Sequence, residues 1–319
     1  MGKKKNLQVI CFGAINLDLI FEINEEVASR LNIRSGYEYF KDVEELDRIL
    51  DILQNEGTLK HKEGGGSAAN TAVALSRLGI KAGFIGKGGN DRESDFLLDS
   101  LEGVDKRGIR RDGRSGMALS LLIKGERSII VFPNANDTIR IEDIDRDYAE
   151  SCDIIHLTSF AGDSSFNAQK SLVSSLSSKI KVSFDPGIFY SKRGIEALTP
   201  ILMRTEIFFP EKKEIEMLTN KPWKEGAKRI LNLGPKVIAC TMGEEGSHIF
   251  TQNEDFHIDA PRVTVVDTTG AGDVYAAGFL SSYLNGRSLK ESAINATNLA
   301  SRSVTGFGRE NYPEKLERV

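Results

Sequence analysis

The chain has 319 residues, enough for one large α/β domain or two smaller ones, each with a real core. Its 42 Lys and Arg against 46 Asp and Glu give a formal charge of −4, without the basic surplus that drives phosphate-backbone binding, so no nucleic-acid partner is expected. Hydrophobic residues at 40% and charged residues at 28% exclude a disordered chain, and no run nears the ~20 apolar residues of a membrane span.

In chain order, Lys3 to Lys5 reads as a solvated basic start, and Asn6 stands where a myristoylation signal has Ser or Thr. The apolar stretch Val9 to Ile15 is short and runs into Asn16 and Asp18, so Val9 to Phe12 reads as a first strand rather than a leader. Ala82 to Ile85, Asp153 to Leu157, Lys181 to Phe184, Glu206 to Phe209, Val237 to Cys240 and Val263 to Val266 are further short, β-branched or aromatic runs that predict buried strands. Helical patterns lie between them at Ser67 to Leu78, Asp91 to Leu101, Ser164 to Leu176, Ile195 to Met203, Glu211 to Leu218 and Lys224 to Leu233. This alternation predicts one α/β domain over 1–319: a three-layer, Rossmann-like, mostly parallel sheet with helices on both faces.

Two regions break the alternation. Met117 to Ile123 and Ser128 to Phe132 predict an antiparallel hairpin, joined in a small sheet by Leu17 to Ile23, Gly36 to Phe40 and Thr58 to Lys62. The expected lid, from segments 17–23, 36–62 and 116–133, would close over the carboxyl edge of the large sheet, where open α/β folds place their sites.

Cys11, Cys152 and Cys240 show no paired spacing, which predicts a reducing, cytoplasmic setting without disulfides. His61, His156, His248 and His257 lack metal-ligand spacing, so no zinc site is expected. Gly83, Gly86, Gly88 and Gly89 do not form the dinucleotide fingerprint GxGxxG, which argues against a nicotinamide-dependent dehydrogenase.

Chemistry concentrates in two glycine-rich stretches. Gly64-Gly65-Gly66 runs into a helix of small residues with Asn70 in its first turn, a shelf of backbone donors for a polar ligand or simply a loop before a core helix. Asp267-Thr268-Thr269-Gly270-Ala271-Gly272-Asp273 predicts a strand end, a tight turn and a helix start. Its amides can hold developing phosphoryl charge while Asp273 accepts a hydroxyl proton; the plainer alternative is an acid complementing the helix dipole.

Together these stretches resemble the paired signatures of the PfkB, or ribokinase-like, carbohydrate kinase family, and the similarity runs from Gly13 to the helix after Leu289. The resemblance implies a catalytic base at Asp273, an anion hole at Gly270, Ala271 and Gly272, and acceptor binding by Asn16, Asp18, Gly65, Gly66 and Asn70. It implies nucleotide contacts at Thr241, Gly243, Gly246 and Asn298, with Glu214 near magnesium through water and Asp267 and Thr269 at a monovalent-cation site, potassium, found in some members. Glu211 departs from the family's Asn, and its extra charge bears on the metal arrangement. Asn134 and Asn136, after the hairpin, reach a ligand or end a strand; Asn136 is carried as a substrate-binding candidate.

The expected activity is therefore magnesium-dependent transfer of the terminal phosphoryl group of ATP, with ADP left open, to a sugar hydroxyl. A ribonucleoside acceptor is the alternative, because the stretch between Asp18 and Gly64, with a helix at Glu44 to Leu53, resembles members that act on nucleosides. Phe21, Tyr37, Tyr39, Met117 and Phe160 are candidates for a base slot or for lid core. A non-catalytic sensor on the same fold would lose the base or the anion-hole glycines, and Asp273, Gly270 and Gly272 are all present. A homodimer through an exposed lid sheet is a further expectation of the resemblance.

Overall fold

The structure is a computed structural model and describes residues 7–41 and 43–314; the basic Lys3 to Lys5 start lies outside them. The strands are β1 (Val9–Phe12), β2 (Asn16–Ile23), β3 (Glu38–Phe40), β4 (Thr58–Gly65), β5 (Ala82–Gly88), β6 (Asp105–Arg111) and β7 (Gly116–Ile123). They continue with β8 (Glu126–Phe132), β9 (Ile154–Leu157), β10 (Lys181–Phe184), β11 (Thr205–Phe208), β12 (Val237–Thr241), β13 (Ser247–Phe250) and β14 (Asp255–Ile258).

Among the described residues, nine strands form one sheet in the order β14-β13-β12-β11-β10-β9-β1-β5-β6. Pairing from β12 through β6 is parallel, and β13 and β14 add an antiparallel hairpin at one edge. Both faces are buried because successive side chains point to opposite sides of apolar strands. Val9 and Cys11 enter one core with the Ser67–Arg77 and Ala271–Leu284 helices, while Ile10 and Phe12 enter another with the Asp163–Ser175 and Ile195–Leu202 helices. The three-layer α/β expectation holds.

One expected strand is absent. Val263 to Val266 pairs with no strand; the Val266 and Asp267 amides instead donate to the Val304 carbonyl at the end of the Leu289–Ser303 helix. Its three valines are exposed, and Val263 and Val265 line a cavity described below. The β-branched run is therefore cavity wall, and the missed β13–β14 hairpin forms the sheet edge instead.

The second sheet has the order β3-β8-β7-β2-β4. A two-residue turn, Lys124-Gly125, joins β7 to β8 with both residues at positive φ (51° and 85°), which matches the twist of a tight hairpin. Leu17, Leu19, Phe21 and Ile23 point to one face, where the Glu25–Arg30 and Val43–Glu56 helices contribute Val27, Leu46, Ile49 and Leu53 to the same core. Burying each such side chain is worth roughly 1.5–3 kcal/mol, so this helical cover is an integral part of the lid.

Candidate functional site

The Ala271–Leu284 helix begins from Gly270, whose φ of 76° is a left-handed conformation that favours glycine. A Cβ there would fall onto the Tyr312 hydroxyl, whereas a Cβ on Gly272 would meet nothing within 4 Å. The start of this helix thus has packed support on one side and open space on the other; the Ala271 amide donates to the Thr268 carbonyl at 3.2 Å, and the amides of this first turn carry the positive end of the dipole. Thr268, Ala271 and Gly272 line a cavity of about 830 Å³.

Asp273 lies in the first turn of this helix and is buried. The Asn70 Nδ2 donates to its Oδ2 at 2.9 Å, and Asn70 is itself held at the start of the Ser67–Arg77 helix, which packs against the Ala271–Leu284 helix and buries Ala68, Ala69 and Ala72. Burial pushes the Asp273 carboxyl up to about 8, and Asp185 adds to the rise. Hydrogen bonds from Asn70 and Ser67 and the charge of Arg309 oppose it.

The acceptor residues implied by the resemblance converge from β2, β4 and the glycine shelf. Asn16 is paired with Gly65 in the β2–β4 register, and Asp18 with Glu63. A Cβ on Gly65 would overlap the Asp18 carboxylate, so the absence of a side chain there gives Asp18 its place. Gly66, at φ 97°, turns the chain from β4 into the helix that carries Asn70. The Asp18 Oδ1 is buried without a hydrogen-bond partner, and burial with the neighbouring Glu63 raises the carboxyl to about 7. Asn136 stands behind Asn16: its Oδ1 accepts from the Ile15 amide at 2.9 Å, while its Nδ2 donates to the Ile15 carbonyl and, at 2.8 Å, to the Asn16 Oδ1. With its polar atoms engaged in this way and its side chain buried, it braces Asn16.

Thr241, Gly243 and Gly246 lie along the large cavity, with Ala260, Val263 and Val265 opposite. Asn298 is exposed and does not line that cavity; Thr297, Ala300 and Ser301 of the same helix do. The aromatic base-slot candidates do not gather at the site. Phe21 and Met117 point into the lid core, Tyr39 packs against it, Tyr37 is exposed, and Phe160 stacks edge-on with Phe12 in the other core.

Glu214 is buried, and its Oε2 accepts from the Glu211 amide at 2.8 Å, while Glu211 also lines the cavity. Burial and the nearby Asp185 raise Glu214, and burial likewise raises Asp185; each opposes the other's ionisation. Lys213 pairs with Glu211 at 2.9 Å, and the buried negative charge of Glu214 and Asp185 beside it fits a magnesium ion held through water; among the described residues no cluster offers three direct ligands. At Asp267 and Thr269, the side chain of Arg127 on β8 reaches across from the lid. Its Nη1 lies 3.3 Å from the Asp267 Oδ1 and donates to the Thr269 Oγ1 at 2.6 Å, and its other nitrogens are held by Ser120. Burial pushes the Asp267 carboxyl up, yet hydrogen bonds from Thr269 and the charge of Arg127 bring it below its ordinary value.

Four residues of this arrangement escape sequence reading: Glu63, Arg127, Asp185 and Arg309. Asp185 had a usable signal, an Asp-Pro pair closing a buried strand. Glu63, Arg127 and Arg309 are brought in by tertiary packing from the lid and from the loop after the last helix.

Residues 42–315 match the model of the pfkB family carbohydrate kinase. The chain is 40% identical to an uncharacterized sugar kinase of Archaeoglobus fulgidus over 253 residues, 77% of this chain and 100% of that one. It is 31% identical to a nucleoside kinase of Methanothermobacter thermautotrophicus over 80% of this chain and 83% of the relative. Among solved structures, the ribokinase of Thermotoga maritima superposes with a TM-score of 0.76 at 27% identity, over 95% of this chain and 94% of that one. No helix among the described residues is long and apolar enough to cross a membrane. The match over most of its length and the architecture built around Asp273 place this chain in the pfkB family of carbohydrate kinases, phosphotransferases that act on hydroxyl groups.

Proposed function

We propose that this kinase transfers the terminal phosphoryl group of ATP to a hydroxyl of a sugar held beneath the lid. The observation that carries this reading is a buried carboxylate, Asp273, in the first turn of a helix whose Gly272 opens on a cavity of about 830 Å³. Nucleotide binding is assigned to that cavity, with Thr241, Gly243 and Gly246 along one wall. Acceptor binding is assigned to Asn16, Asp18, Gly65, Gly66 and Asn70, with Asn136 bracing Asn16.

Asp273 takes the proton of the attacking hydroxyl while the amides of Gly270, Ala271 and Gly272 hold charge developing on the transferred group. Bound magnesium would neutralise nucleotide phosphate charge, next to Glu214 and Glu211. Asn70 holds Asp273 in a fixed orientation, and the lid excludes water that would otherwise compete for the phosphoryl group. A potassium ion at Asp267 and Thr269 would have to displace the Arg127 guanidinium, so we assign the local counter-charge to Arg127.

A ribonucleoside is the second reading. It draws on the lid face that carries Asp18, where half-buried Ile20, Leu122, Ile129 and Val131 offer an aliphatic surface for a base. A coupled assay with sugars, phosphosugars and nucleosides, each with ATP and with ADP in the presence of magnesium, decides between them. Turnover of a sugar with ATP supports the first reading, turnover confined to nucleosides supports the second, and binding without turnover in every pair makes the chain a sensor.

A further inference from the structure

Arg309 follows the last helix, in the loop Gly306-Phe307-Gly308-Arg309, and its side chain reaches into the centre of the site. Its Nε donates to the Asn70 Oδ1 at 3.0 Å, and the Asn70 Nδ2 donates to the Asp273 Oδ2 at 2.9 Å. An asparagine amide can be turned either way round in its plane, and only one orientation presents NH₂ to a carboxylate. The guanidinium, which can only donate, fixes that orientation.

The arginine is anchored independently of Asn70. Its Nη1 donates to the Ser100 carbonyl at 3.0 Å, its backbone amide to the Glu63 Oε2 at 3.3 Å, and its carbonyl accepts from Arg77 at 3.1 Å. Gly308 fits against the Glu63 carboxylate, where any Cβ would collide with it. The Arg309 Nη2 and the Asp18 Oδ1 are both buried without partners, and the charges of the two residues act on one another.

We propose that Arg309 is a positioning residue of the transfer reaction, which orients the Asn70 amide on Asp273 and ties this catalytic carboxylate to the loop after the last helix. The proposal rests on the reading of Asp273 as the base. The charged and titratable groups acting on Asp273 are Asp185 at the end of β10, Arg309, Tyr312 in the same loop and Cys11 on β1. Arg309 is the cation among them, so its removal favours the protonated, non-basic form of Asp273.

The test uses the full chain with Asp273 followed by ¹³C carboxyl titration, which needs no acceptor, and steady-state kinetics on the acceptor found in the panel. Arg309→Met is expected to raise the Asp273 titration midpoint, shift the rise of kcat/KM to higher pH and lower kcat about tenfold, leaving KM for ATP within about twofold. Arg309→Lys restores the charge and hence the midpoint, but not the forked donor, so kcat stays depressed. An unchanged midpoint and pH profile in Arg309→Met overturns the proposal. If that variant does not fold, wild-type kcat in Arg309→Lys overturns it instead. A wild-type chain that phosphorylates nothing defeats the reading of Asp273 as a base, a result separate from the titration.

Discussion

The two sheets are built from similar apolar strands but are finished differently. The nine-stranded sheet is covered on both faces, and its alternating side chains divide between two cores. The five-stranded sheet is covered on one face by its own helices, and the other carries Asp18, Arg127 and half-buried aliphatics, with Arg127 reaching Asp267 and Thr269. A sheet buried on both sides is scaffold; one left half-finished is a binding surface whose polar atoms wait for a partner. The unpartnered Asp18 Oδ1 is the local sign of that difference.

The largest test falls on the scaffold side. Asp273→Asn keeps the shape and the packing around Asn70 but removes the base, so kcat is expected to fall about 10³-fold with the fold and the ATP affinity retained. Activity near wild type would show that the buried carboxylate only complements its helix. On the lid side, Asp18→Asn is expected to lower kcat/KM for the acceptor about 10²-fold while leaving KM for ATP alone, because the lost contact belongs to the acceptor. Equal effects on both substrates would erase the division of labour between the sheets.

How much of this was legible beforehand differs between the same two regions. Asp273, Gly270, Gly272 and Asn70 lie in short contiguous stretches whose glycines and helix starts announce their geometry, and the structure brings them together around one carboxylate. The lid was legible as strands but not as faces. Phe21 and Met117 stood open between a base slot and the core of the small sheet, and strand parity sends them into the core with Ile49, while their neighbours Ile20 and Ala118 face the other way. The run from Val263 to Val266 reads as a strand by composition, and only its bonds to Val304 reveal a cavity wall. Arg127 and Arg309 left no local trace because their roles come from contacts more than a hundred residues away.

Arg127 joins the two regions, so it offers a third and smaller test. Its guanidinium links β8 of the smaller sheet to Asp267 and Thr269, just ahead of Gly270 and Gly272. Wild-type turnover is expected to be the same in potassium, sodium or tetramethylammonium salts. Arg127→Met is expected to lose about tenfold in kcat and to regain part of it with potassium, since the Asp267 carboxylate is then left without its cation. A wild-type enzyme that needs potassium would show that the guanidinium leaves Asp267 during turnover.

The smallest effect is on stability, and it separates the two carboxylates by pH. Asp273 rises to about 8 and Asp18 to about 7, against an ordinary value of 3.8, in both cases mainly through burial. A carboxyl whose folded value lies above its unfolded one binds more protons in the folded state, so its stabilising effect is complete at pH values below about 4 and declines as pH climbs through the folded value. Thermal unfolding of the ligand-free chain should therefore show Asp273→Asn close to wild type near pH 4, gaining on it as the pH rises, and exceeding it by at least about 1 kcal/mol near pH 9, since one pKa unit corresponds to about 1.4 kcal/mol and relaxation absorbs part of the shift. Asp18→Asn should begin to gain at the same pH, near 4, but level off about one unit earlier, near 7 rather than 8. Parallel curves for both variants at all pH values would mean that neither carboxyl is held in its neutral form, and the lid would then hold Asp18 no differently from a solvated side chain.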